Sequence, residues 1–269
     1  MKIYDLSITI ENGLWHYGTP YVPYEGKALS TIKDNGYICS KHVMTSHTGT
    51  HLENAKHWSE SAAGTDKMDL AKIIGKAKVL KIAANDRPFF EITTDMLKET
   101  GSEKLEAGDI CILATGWDKR AKEENYTWES PFITIEAAAY LRDKGIKCFA
   151  IDAPMFGDPR DGMDCVPEGT EVPDFAFANA GIPCILGMVN CMELPEEVIF
   201  CAAPLKLKGK NMEDLNNNET VTMDSELLTK AIGGLFWKYS VLALVGILFS
   251  CLAVILDGNF MGNGVARWL

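Results

Sequence analysis

DICILAT at residues 109–115, IEAAAYLRDK at 135–144 and CFAID at 148–152 decide the fold class. The first and third are short apolar runs of strand length, as strands covered on both faces read. The middle segment reads as a helix, which Gly145 can end. Working outward towards the N-terminus, residues 93–100 predict a short helix capped by Thr93 or Thr94, and AKVLKIA at 77–83 predicts a strand. Residues 11–26, rich in Gly, Pro, Tyr and Trp, predict an irregular loop, and residues 1–10 alternate as a half-buried strand does. Towards the C-terminus a helix is expected at 175–180 and a strand at 182–188. The pair Glu196-Glu197 reads as a solvated helix start. Strands alternate with helices, so the class is α/β.

The end of the chain differs. Residues 211–222 are polar, with an Asn triplet at 216–218, and read as a linker. Residues 239–256 (YSVLALVGILFSCLAVIL) carry no charge over eighteen positions, the length of a membrane span. Trp237 and Lys238 stand at one edge as interfacial anchors would, and Asp257 closes the other. A long core helix or a pair of buried strands would read the same way. The division expected is a domain at 1–210, a linker at 211–234 and an apolar segment at 235–269. The last is a candidate anchor touching the membrane through residues 236–256.

Composition narrows the function. A net charge of −11 leaves no basic face for phosphate, so nucleic acid is not an expected partner. The eight cysteines form no CxxC pair and lie mostly in apolar runs, as free thiols in a reducing compartment do. The N-terminus has no apolar secretory core, so a cytoplasmic location is expected. A Gly-x-Ser-x-Gly elbow and a glycine-rich phosphate loop are both absent.

All five histidines precede residue 58, and four fall between His42 and His57. The string Ser46-His47-Thr48-Gly49-Thr50-His51-Leu52-Glu53-Asn54-Ala55-Lys56-His57 offers three imidazoles and a carboxylate. Such donors suit Zn, Mn or Fe(II) and leave positions for water and substrate. Gly49 argues against a continuous helix. In an extended backbone His47, His51, Glu53 and His57 share parity. Asp152 and Asp158 flank a turn, either orienting a ligand or merely shaping the turn. Trp15, His16 and Tyr17 either line a pocket for a planar substrate or anchor their loop.

At these residues the sequence resembles the cyclase family, which includes bacterial kynurenine formamidase and isatin hydrolase and carries His-x-Gly-Thr-His-x-Asp-x-Pro-x-His. Weaker matches follow in the family's order: Asp5-Leu6-Ser7, Ala114-Thr115-Gly116-Trp117, Ile151-Asp152-Ala153-Pro154 and Ala203-Pro204-Leu205-Lys206-Leu207. Together they cover roughly residues 1–210. The resemblance implies a single mixed-sheet domain of the swivelling β/α/β type, here followed by an apolar helix. It implies one divalent metal ion, Zn or Mn, held by His47, His51 and Glu53, with His57 moving protons. Glu53 stands where the family has Asp, and Ala55 where it has Pro. Where two-metal members place a later His and Glu, this chain has Asp174 and Leu186. Asp174 could ligate and Leu186 cannot, which predicts one metal. The activity implied is hydrolysis of an amide C–N bond in a small molecule, by a homo-oligomer. The competing expectation is a degenerate member that binds a ligand or tethers to a membrane.

Overall fold

The computed structural model describes residues 2–161 and 172–207, and the backbone of 252–257. In chain order the elements are β1 (Ile3–Asp5), β2 (Glu25–Ser30), α1 (Ile32–Asn35), β3 (Cys39–Val43), β4 (His51–Glu53), β5 (Ile74–Lys81), β6 (Glu91–Ile92), α2 (Thr94–Glu99), β7 (Ile110–Ala114), β8 (Phe132–Ile133), α3 (Ile135–Asp143), β9 (Cys148–Ile151), α4 (Pro173–Ala178), β10 (Cys184–Leu186), β11 (Glu197–Ala203) and β12 (Leu252–Asp257).

One mixed sheet carries the order β1-β12-β11-β5-β7-β9-β10-β4. Its centre, β5-β7-β9-β10, is parallel, and the strands on both flanks are antiparallel. The centre is why DICILAT is continuously apolar. In β7, Ile110, Ile112 and Ala114 enter one buried cluster, while Cys111 and Leu113 enter the other on the opposite face. Helices α2, α3 and α4 cover the second face through Leu97, Ala137, Ala138, Leu141 and Phe177. Burying both faces is the ordinary condition of parallel strands, and it removes the polar alternation that an exposed face would need. Helix α3 begins where Thr134 caps it, accepting from the Ala137 N–H. Thr93, one of the two expected caps, does the same for α2.

Three expectations need correction. The segment 239–256 does not form one helix: its end, residues 252–256, lies in β12, paired with β1 and β11. The physical reason is that β1 and β11 would otherwise each leave an open edge, and an antiparallel strand satisfies both rows of backbone groups. The rest of that segment lies outside the described residues, as does the expected linker. Among the described residues no helix is long and apolar enough to cross a membrane. Second, Glu197 opens a strand rather than a helix. It pairs with Lys78 across the ladder, and Lys76 and Lys78 reach its carboxylate at 3.8 and 3.3 Å. Third, residues 1–10 contribute only Ile3–Asp5 as strand. The hairpin β2–β3 lies in the region whose first part reads as loop, and it pairs with no other strand among those described.

Candidate metal centre

The edge strand β4 builds the centre. Its register against β10 puts Glu53 opposite Cys184 and His51 opposite Leu186. Residues opposite one another in a ladder share a face. Cys184 and Leu186 belong to the helix-covered cluster, so His51 and Glu53 point towards α4. His47 comes from the turn before the strand. Gly49 lets the chain double back there, with φ +65° in the left-handed region, and a Cβ would meet Ile8 Cγ2 at 3.1 Å.

Donor atoms of His47, His51 and Glu53 all lie within 4.8 Å of one another. Glu53 Oε1 is 2.9 Å from His47 Nε2 and 3.7 Å from His51 Nε2. Neither approach has hydrogen-bond geometry, and both Nε2 atoms are buried without a partner. For His51 the protonation follows from its other nitrogen. Nδ1 lies 2.8 Å from the Gly49 carbonyl, which can only accept, so Nδ1 carries the proton. In the neutral ring Nε2 is then a bare lone pair facing a carboxylate. Two electron-rich atoms directed at one another in a buried place call for a cation between them. A shared ion with bonds of about 2.0–2.2 Å sets its donors roughly 3–4 Å apart, close to the 2.9 and 3.7 Å at which Glu53 Oε1 approaches the two rings. The set fits a divalent metal such as Zn or Mn.

His57 sits in a short 3-10 turn, its ring 4.6 Å from that of His47 and 4.6 Å from Trp58. It keeps an exposed side. The atoms crowded around it lower its pKa by desolvation, against the pull of the Glu53 charge.

Asp174, in the first turn of α4, is near the cluster but not among its three converging donors. It lies across a small pocket from Glu53, lined also by Asn54, Trp58, Phe156 and Cys184. Burial, and then the charge of Glu53, push its carboxyl up to about 7. Burial likewise raises the Cys184 thiol well above its ordinary value, so it faces Glu53 as a neutral group.

Asp152 turns out to shape the fold. Fully buried, it accepts from the Thr115 N–H and hydroxyl and from the Gly116 N–H, joining the ends of β7 and β9. Asp158 pairs with Arg160. Of the early aromatics, Tyr17 stands over the centre, its ring 6.0 Å from His47 and 6.2 Å from His51, with its hydroxyl donating to the Pro154 carbonyl. Trp15 packs edge-on against Tyr17, and His16 is exposed. Tyr21, 4.9 Å from His47, and Trp58 had no sequence signal, since neither lies in a periodic segment.

A mixed sheet with helices over it, and a largely buried His-His-Glu cluster built from its edge strand and the turn before it, defines a candidate metal-binding α/β protein. Residues 4–157 match the cyclase family model. Isatin hydrolase from Roseibium aggregatum is 30% identical over 192 residues, which is 62% of this chain and 68% of that one. Kynurenine formamidase from Bacillus cereus is 25% identical over 162 residues, 60% and 72% of the two chains. Among solved structures, isatin hydrolase A from Ralstonia solanacearum shares the fold with a TM-score of 0.68 at 18% identity, covering 77% of this chain and 87% of its own. A protein from Bacillus stearothermophilus described as a predicted metal-dependent hydrolase aligns with a TM-score of 0.61 at 25% identity, covering 78% and 93%. The chain belongs to the cyclase family.

Proposed function

We propose that this chain hydrolyses the amide C–N bond of a small arylformamide or cyclic imide at a centre formed by His47, His51 and Glu53. The observation that carries the reading is the pair of buried, unpartnered Nε2 atoms turned towards one carboxylate. It is an amidohydrolase, in keeping with relatives named isatin hydrolase and kynurenine formamidase.

A divalent metal bound there would supply Lewis acidity and lower the pKa of water. The chain's residues do the rest. His57, with its pKa lowered and an open side, accepts a proton from the attacking water and returns it to the leaving nitrogen. Tyr17 and Tyr21 wall the histidines from bulk water. Trp58 and Phe175, edge to face at 5.3 Å, offer an aromatic surface beside His57 for a planar substrate. Asp174 is the remaining candidate ligand.

A second reading, a degenerate member that binds its ligand without turning it over, is favoured by Leu186, an alkyl side chain opposite His51. One experiment separates the two. The purified chain is analysed for Zn and Mn, then assayed on N-formyl aryl amines and on isatin. Metal with turnover supports the hydrolase, and metal with saturable binding but no turnover supports the binder.

Self-association belongs to the proposal. The hairpin β2–β3 presents Leu29, Ile32, Tyr37 and Ile38, each between 61% and 68% exposed. Such surface on a lone two-stranded hairpin suits burial against a second copy. A cytoplasmic location is part of the same reading, supported by the six described cysteines, all free thiols.

A further inference from the structure

A metal on His51 needs its Nε2 bare and aimed, and both conditions depend on the Gly49 carbonyl, the acceptor for Nδ1. That carbonyl is held from a distant part of the chain. Gly187 follows β10 with φ +65°, and a Cβ built on it would lie 3.0 Å from the Gly49 oxygen and 3.1 Å from Trp15 Cζ2. Its missing side chain is the space the Gly49 carbonyl occupies. Its own carbonyl accepts from Thr50 Oγ1 at 2.6 Å, and Thr50 Oγ1 accepts from the Ile8 N–H at 2.9 Å. Thr50 is fully buried, and its bond to the Gly187 carbonyl is made away from water. Gly187 is anchored in turn, its N–H donating to the Ala153 carbonyl at 2.8 Å just past β9.

We propose that Gly187, outside the histidine segment, is a positioning residue that sets the tautomer and aim of His51 through Thr50 and the Gly49 carbonyl. A side chain at 187 crowds the Gly49 oxygen and the Trp15 ring, and a shift of that oxygen by a few tenths of an ångström weakens the bond that holds the proton on Nδ1. Neutral imidazole in water prefers its proton on Nε2, where it blocks the metal position. Loss of the Thr50 hydroxyl frees the same peptide from the other side. Partners of this kind orient ligand histidines, and their removal typically costs 10–100-fold in metal affinity.

This inference rests on the metal reading, so its test uses two readouts on the full chain. Histidine side-chain 15N NMR of the metal-free protein reports which His51 nitrogen is protonated. Competition with a chromophoric chelator reports zinc affinity. The wild type should hold the proton on Nδ1. Gly187→Ala and Thr50→Val should move a measurable fraction to Nε2 and weaken zinc at least tenfold. Thr50→Ser, which keeps the hydroxyl, should restore both. Thr50→Val with the wild-type tautomer and zinc affinity overturns the proposal, and this pair decides it even where Gly187→Ala does not fold. A wild type that binds neither zinc nor manganese sinks the metal reading alone, because the tautomer comparison still stands or falls without metal.

Discussion

Leu186 stands directly opposite His51 in the β10–β4 ladder, on the face that carries Glu53. An alkyl group offers no ligand atom beside the cluster. The other candidates beside Glu53 are Asp174 and Cys184, both held towards their neutral forms by burial. Elemental analysis of the purified chain is therefore expected to give one tightly held divalent ion. Two per chain would contradict this reading of Leu186.

Replacing His57 separates binding from chemistry. Its ring contacts His47 and Trp58 but is not among the three converging donors. His57→Ala is expected to keep its metal and lose turnover by about 10²–10⁴-fold. Near-wild-type kcat in that variant would remove His57 from the mechanism.

The Asp174 carboxyl gives a pH dependence with a definite sign. Burial and the Glu53 charge raise its folded pKa from the ordinary 3.8 to about 7. A raised folded pKa means that the group's contribution to stability is whole below the unfolded pKa and is lost as pH rises through about 7. In the metal-free protein, Asp174→Asn should therefore gain on the wild type in melting temperature between pH 5 and pH 8. Saturating zinc, by offsetting the Glu53 charge, should narrow the gap. Melts in which the difference does not grow with pH would count against the coupling.

Asp152 is a stability residue. Its carboxylate takes two backbone N–H groups and a hydroxyl in a fully buried site. Asp152→Asn turns one acceptor into a donor facing donors. The expected loss is roughly 1–3 kcal/mol, measured by denaturant unfolding. An unchanged midpoint would show that the Thr115-Gly116 turn holds without it.

The hairpin predicts association. Light scattering on the full chain should give a mass above the 29.6 kDa of one copy. Changing Ile32 and Ile38 together to lysine should bring it down to that value with the fold intact. A monomeric wild type would leave the exposed apolar tip without a role in self-association.

The central fold was legible because its signals are local. Strands buried on both faces need unbroken apolar runs, and helices announce themselves by caps such as Thr93 and Thr134, so α2, α3, β7 and β9 follow from their own residues. The three converging donors were legible too, since His47, His51 and Glu53 lie within seven positions of one another. What lay beyond the sequence depends on pairing between distant segments. Residues 252–256 read as well for a membrane span as for a strand, because hydrophobicity carries no direction. Only the open edges of β1 and β11 make them β12. Glu197 reads as a helix start until Lys76 and Lys78 stand across from it. Tyr21 reaches the centre from a loop and Gly187 from just past β10, and their closeness to His47 and Gly49 arises only when the chain folds back. The sequence by itself determined which groups could serve as metal donors, Asp174 among them, and folding brings three of them together. Tertiary structure decided which nitrogen of His51 is left bare to do so, because the carbonyl that takes its proton is positioned by a residue 136 places away in the chain.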